Sequence, residues 1–265
     1  MRCVFCKRDS SMSVSTEHII PESLGNTLQI LPPGVVCDAC NNYFSREVEK
    51  PFLESESVRS LRFEQALISK RGKIPTLTGI ITPVLAPAIM TRHAFGPFRA
   101  SLFVSEGTLS AMQKSPSGQL IFSAAPGNPS GKVVSRFLAK IAIEVMAARL
   151  LSLPGEIEHL VDEVQLDPIR NHARRGDIPT WPYHARSIYD RNKKWAEKTG
   201  RDVQVVHEFD VLATEWGEWF LVVAIFGMEF AINYGGPEID GYLRWLGENN
   251  YASPLYSGKN ARPFS

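Results

Sequence analysis

Two Cys-x-x-Cys pairs, Cys3 with Cys6 and Cys37 with Cys40, contain all four cysteines of the chain, and thirty residues separate them. Each pair can fold into a tight knuckle that presents two thiolates, and two knuckles complete a tetrahedral S4 shell of the kind that binds zinc. A rubredoxin-like iron site uses similar spacing, but nothing beside these cysteines points to electron transfer. A disulfide framework is the other alternative, and it suits an oxidising compartment. His18 is a fifth candidate ligand, and four soft, paired thiolates are preferred over it, which leaves His18 for other work. A closed S4 shell has no open position for a substrate water. The zinc is therefore expected to be structural, stapling a segment too small to bury a core of its own.

The bracketed stretch "STEHIIPESLGN", residues 15 to 26, is unlike loop filler. Glu17 offers a hard carboxylate oxygen suited to Mg²⁺ or Mn²⁺. An imidazole with a pKa of about 6.5 can take a proton near neutral pH if an acceptor holds its other ring nitrogen. The bland counterparts are a histidine packed against a knuckle and a solvent-facing glutamate. Adjacent residues on a regular strand face opposite sides, so Glu17 and His18 share one site only if the strand ends or bulges there. Pro21 makes such an interruption expected. Gly25-Asn26 reads as a turn in which the Asn side chain bonds to nearby backbone. Asn41 and Asn42 follow the last cysteine where a helix should begin, and Asn is also a good helix cap.

Acid-His, a proline three residues after the histidine, Gly-Asn and Cys-x-x-Cys-Asn together resemble the HNH endonucleases of the ββα-metal class, in their zinc-stapled form. The resemblance covers about the first 50 residues. "FLAKIAIE" and "LDPIRNHARRGD" downstream are similar to the C-terminal regions of stand-alone bacterial proteins carrying this domain. The resemblance implies a β-hairpin and helix around one catalytic Mg²⁺ or Mn²⁺, with hydrolysis of DNA phosphodiester bonds. Carried over by position, His18 is the general base, Glu17 and Asn41 are metal ligands, and Asn26 is a brace that completes the catalytic set. Asn42 is the alternative ligand to Asn41. Restriction or phage defence is the setting implied. The competing reading is an inactive zinc-stapled adaptor for nucleic acid or protein.

These residues must be positioned by the rest of the 265-residue chain, whose 44% hydrophobic content allows a sizeable core. The expected fold class is α+β: a zinc-stapled ββα module over residues 1–70, then a larger mixed domain over 71–265 that recognises substrate or partner. "NNYFSREVEKPFLESESVRSLRFEQAL" reads as helix, bent or broken before Pro51. "IPTLTGIITPVL", "HAFGPFRASLFVS" and "GQLIFSAA" read as strands of an antiparallel or mixed sheet, and "APGNPSGK" as a loop with Ser130 as a helix cap. Val134, Phe137, Leu138, Ile141, Val145 and Ala148 recur at helical spacing and predict a central amphipathic helix. A short amphipathic stretch, 156 to 170, follows. The Glu215–Glu218 turn between later apolar runs predicts a hairpin.

The 29 basic and 28 acidic residues leave a formal charge of +1, so any nucleic-acid contact must be local. The first 75 residues are nearly balanced, whereas residues 166–201 hold nine Lys/Arg against four acids, with Trp181, Tyr183 and Trp195 among them. Arg170, Arg174, Arg175, Lys193 and Lys194 are the expected phosphate contacts. Five or six such contacts would give a log-log salt slope of about minus five. A solvated basic face whose aromatics belong to the core is the alternative. DNA is the expected partner with RNA also open, beside a homodimer or a defence-system protein. No apolar run is long enough to span a bilayer and the start lacks a signal-peptide stretch, so the cytoplasm is the expected location.

Overall fold

The computed structural model describes residues 1–69, 71–93, 99–115, 117–122, 130–196 and 202–259. Strand β1 (Glu17–His18) pairs antiparallel with β2 (Ile30–Leu31), and α1 (Asp38–Phe44) follows, the β-β-α order expected between the knuckles. The helical path then widens into a π-helical turn over Ser45–Glu49 before α2 (Lys50–Leu53) and α3 (Glu56–Glu64). The helical path therefore continues through Pro51. A proline has no N–H to give and its ring crowds the preceding turn, and a wider turn accommodates both effects.

Strands β3 (Leu77–Ile81), β4 (Ala86–Arg92) and β5 (Ala100–Phe103) come next, followed by α4 (Glu106–Met112) and β6 (Leu120–Phe122). They form an antiparallel sheet in the order β5-β4-β3-β6. Each of the three expected strand segments contributes one strand. The fourth, β4, has the sequence APAIMTR, whose alanines and proline carry little strand signal. Residues 125–129 of the expected loop lie outside the described residues.

The longest helix, α5 (Gly131–Leu150), starts where Ser130 Oγ accepts from Val133 N at 3.3 Å. It differs from the expected amphipathic helix in being buried nearly all round. Ala148 is half-buried, while Ala139, Lys140, Ile143 and Glu144 join the apolar stripe inside. The reason is that α5 has neighbours on several sides: β2, the π-helical turn, α6 (Glu156–Asp162), α7 (Asp167–Arg175) and strands of the last sheet.

That sheet comprises β7 (Tyr183–Ser187) and, after the small hairpin β8 (Lys194–Ala196) and β9 (Asp202–Gln204), strands β10 (His207–Ala213), β11 (Trp219–Ile225) and β12 (Met228–Asn233). Its order is β10-β11-β12-β7, antiparallel throughout. The expected hairpin is β10-β11, joined at Thr214–Glu218. Residues Phe220 to Ile225 of β11 are all buried, as a strand covered on both faces must be. Phe220, Val222 and Ala224 pack with Tyr242 and Leu246 of α8 (Asp240–Glu248), and Leu255, just before α9 (Tyr256–Lys259), closes the cluster. Tyr234 OH donates to the Ala142 carbonyl of α5 at 2.9 Å. At the β11-β12 turn Gly227 has φ +77°, and a Cβ there would lie 2.2 Å from the Tyr189 carbonyl oxygen, so only glycine fits.

Contacts divide the chain into two compact units. One comprises Met1–Ile20, Asn26–Glu49 and Ser130–Ser265, and the other Pro21–Gly25 and Lys50–Pro129. The knuckles, the hairpin strands and α1 thus share a unit with α5 and the last sheet. The boundary near residue 70 divides proposed roles, whereas the packing units interleave along the sequence.

Candidate active site

The four cysteine sulfurs lie within 4.8 Å of one another. Cys6 Sγ and Cys37 Sγ are 3.7 Å apart, matching the edge of a tetrahedron with Zn–S bonds of about 2.3 Å, which is about 3.8 Å. Donor set and spacing both fit zinc. The knuckles also direct backbone N–H groups at sulfur. Cys37 N donates to Cys3 Sγ at 3.3 Å, and Cys40 N donates to Cys37 Sγ at 3.4 Å as the N-cap of α1. These bonds and the helix terminus favour thiolate, the form a metal requires. A hydrogen bond from Cys40 holds the Cys3 thiol down at about 4, and the same bond raises Cys40. Phe5 stacks obliquely on Phe44 at 4.3 Å, closing the first knuckle over α1.

Between the knuckles, the β1-β2 register sets Glu17 opposite Leu31 and His18 opposite Ile30. Leu31 is fully buried and Ile30 is 46% exposed, so the ribbon has an inner and an outer side. Glu17 is only 4% exposed and lies on the inner side, while His18 is half-buried. The strand stops at His18, as the proline three residues on predicts, and Ile19 N still reaches the Gln29 carbonyl at 3.1 Å. Asn26 clamps the loop. Its Nδ2 donates to the carbonyls of Ile20 (2.7 Å) and Gln29 (2.8 Å), and its Oδ1 accepts from Leu28 N (3.1 Å) and Gln29 N (2.9 Å). It is fully buried, and every one of these bonds is within the loop.

Helix α1 is tied to the same hairpin. Asn41 Nδ2 donates to the Thr16 carbonyl at 3.2 Å, which leaves Oδ1 as the atom a metal would meet, and Asn42 is exposed. Asp38 accepts from Ser15 N at 2.9 Å, from Val14 N at 3.2 Å and from the Ser15 hydroxyl, and the Ser15 bonds hold its carboxyl below the usual range. Among the described residues no acceptor meets His18 Nδ1, which is buried.

The group that sequence reasoning missed is Lys140 of α5. Its side chain is fully buried, with Nζ at 2.8 Å from Glu17 Oε1, 2.8 Å from Glu49 Oε1, 2.9 Å from Glu144 Oε2 and 3.2 Å from the His18 carbonyl. Burial opposes its charge, but Glu144, Glu17 and Glu49 outweigh that and raise its pKa, while burial also raises Glu144. Lys and Glu four apart inside the otherwise apolar FLAKIAIE was the available signal, because a charge buried in a helix must find a partner. Oε1 of Glu17 is thus held by the ammonium.

The basic stretch divides into three groups. Arg170 is a correction: it is 2% exposed, its Nη1 pairs with Asp167 at 2.8 Å and bonds the Glu163 carbonyl at 2.7 Å, and its Nη2 meets the Leu160 carbonyl. It braces α6 against α7 and offers nothing to a phosphate. Arg186 pairs with the buried Glu229 at 2.5 Å, and Trp181 lies in the core, so neither belongs to a binding face. Arg174 and Arg175, at the end of α7, line a cavity of about 540 Å³ with Arg8, Cys6, Asp38 and Tyr43, beside the cysteine knuckles. Lys193 lies over the Trp195 ring at 4.2 Å and Lys194 opens β8, whereas Lys198 and Arg201 lie outside the described residues.

A ββα module framed by four cysteines that fit a zinc ion is the class that this arrangement defines. Residues 3–56 match the family model described as HNH endonuclease, a span that covers both knuckles, the hairpin and α1. The match suggests nuclease activity at the level of the family, and it spans 54 of the 265 residues. No curated protein and no solved structure matches the chain. No helix among the described residues is long and apolar enough to cross a membrane.

Proposed function

We propose that this protein is a metal-dependent HNH endonuclease that hydrolyses DNA phosphodiester bonds. The observation that carries the reading is the clamped hairpin. Asn26 fixes the loop, Asn41 ties α1 to Thr16, and Glu17-His18 sits at the end of β1 between them. His18 is the general base. Its Nδ1 is buried, so Nε2 is the nitrogen that takes the proton from the attacking water. Glu17 and Asn41 are the protein ligands for Mg²⁺ or Mn²⁺, an oxygen set that suits either ion and leaves room for water and phosphate oxygens. When bound, the ion stabilises charge on the phosphate and the leaving oxygen. Asn26 holds the loop that carries these groups, and the Cys3, Cys6, Cys37 and Cys40 zinc holds the frame.

Arg174 and Arg175, with Arg8 in the same cavity wall, supply phosphate contacts, and Lys193 and Lys194 are the further candidates. Residues 71–265 contribute recognition of the substrate or of a partner, in the cytoplasm and in a restriction or phage-defence role. One observation favours the adaptor alternative: His18 Nδ1 meets no orienting acceptor among the described residues. Supercoiled plasmid separates the two readings. Wild type with Mg²⁺ or Mn²⁺ should relax or linearise it, and EDTA or His18→Ala should abolish this with the fold intact. Relaxation that survives both treatments sinks the mechanism, and binding without cleavage establishes the adaptor. Phage plating on cells carrying wild type or His18→Ala tests the defence role.

A further inference from the structure

Lys140 carries the next step. A buried ammonium loses its water, and an apolar side chain of similar volume would serve packing as well or better. What the ammonium adds is geometry. Two of its oxygen partners come from the adjacent residues to which hydrolysis is assigned, the Glu17 carboxylate and the His18 carbonyl. The other two anchor it from behind: Glu144, one turn along α5, is fully buried, and Glu49 ends the π-helical turn that continues α1. Neither Lys140 nor Glu144 lies in the segment 3–56 that matches the nuclease family.

We propose that Lys140 is a positioning residue of the nuclease site. Its ammonium fixes the Glu17 carboxylate and the backbone of His18 in one arrangement, and hydrolysis by the N-terminal module therefore requires α5. The inference rests on the proposed nuclease function. One cation bonded to the side chain of one residue and the carbonyl of the next sets the pitch of the chain at the end of β1. Both the direction of the His18 ring and the oxygen that Glu17 can offer follow from that pitch. Groups that orient metal ligands in this way change metal affinity or activity by about tenfold or more when removed.

The test uses the full chain and Lys140→Met, which keeps an unbranched side chain one atom shorter and removes the charge. Zinc content and the melting transition verify the fold, Mn²⁺ affinity is read by paramagnetic resonance titration, and plasmid nicking gives kcat and KM. Lys140→Met should keep its zinc, bind Mn²⁺ about tenfold more weakly and lose about tenfold or more in kcat, with KM for DNA changed by less than about twofold. If Lys140→Met fails to fold, Glu144→Gln carries the same test. It leaves the ammonium in place but loosens its anchor, so Mn²⁺ affinity and kcat should fall together with zinc retained. Unchanged Mn²⁺ affinity and kcat in a folded variant, or tighter Mn²⁺ binding, overturns the positioning role and leaves the nuclease reading standing. A wild type that neither binds Mn²⁺ nor nicks DNA removes the nuclease reading and this inference with it.

Discussion

Replacing Asn26 by alanine tests whether the loop between β1 and β2 is held by one side chain. The amide makes four hydrogen bonds between 2.7 and 3.1 Å, all to backbone, and is fully buried. A net contribution of about 0.5–1.5 kcal/mol for each bond gives about 4 kcal/mol for the four, because the backbone groups left behind find little water in a buried loop. That is a large share of the about 5–15 kcal/mol that stabilises a typical domain. Urea unfolding of the zinc-loaded protein should show a loss of about 3–5 kcal/mol. Amide exchange at Leu28 and Gln29 should speed up more than exchange in β11. Asn26→Asp sharpens the test, since it keeps the acceptor for Leu28 and Gln29 but turns the donor to Ile20 and Gln29 into a carboxylate facing two carbonyls. It should be at least as damaging as alanine. A loss below about 1 kcal/mol, or exchange that quickens equally everywhere, would refute the clamp.

Cys37→Ser removes a thiolate that also caps α1, so zinc content should fall from about one per chain to near zero and the knuckles and hairpin should unfold; a folded, zinc-free protein would contradict the staple. Burial, aided by Arg136 and Lys132, lowers His172 to about 4 from its usual 6.5. Between those values the unfolded chain takes a proton that the folded chain refuses, so stability falls as pH falls through that window. Between about pH 7 and about pH 5 this costs about 2 kcal/mol, and His172→Gln should lose that much less in urea unfolding over the same interval.

The metal frame and the clamp were legible because each rests on short-range chemistry. Cys-x-x-Cys spacing brings its own sulfurs together, and Gly25-Asn26 makes its bonds within a few residues. The helical period of α5 was equally visible, but its burial on all sides was not, since period reports one stripe and says nothing of how many neighbours will cover the others. Arg170 was misread for a related reason. Composition places basic residues near one another in sequence, and only the packing of α7 shows that this one turns inward. Glu17 was identified from its neighbours in sequence, but its partner Lys140 is too remote for any local pattern to reveal.

That remoteness also affects how the protein is made. Lys140 bonds the His18 carbonyl across 122 positions of chain, so the cysteines, the hairpin and the histidine leave the ribosome long before the residue that secures them. Contacts of such separation are slow to form and come late in folding. With Lys140 as the positioning residue, a nascent or truncated chain that lacks α5 carries every motif of a nuclease without its working geometry. On the proposed function, cleavage is then withheld until α5 has been synthesised.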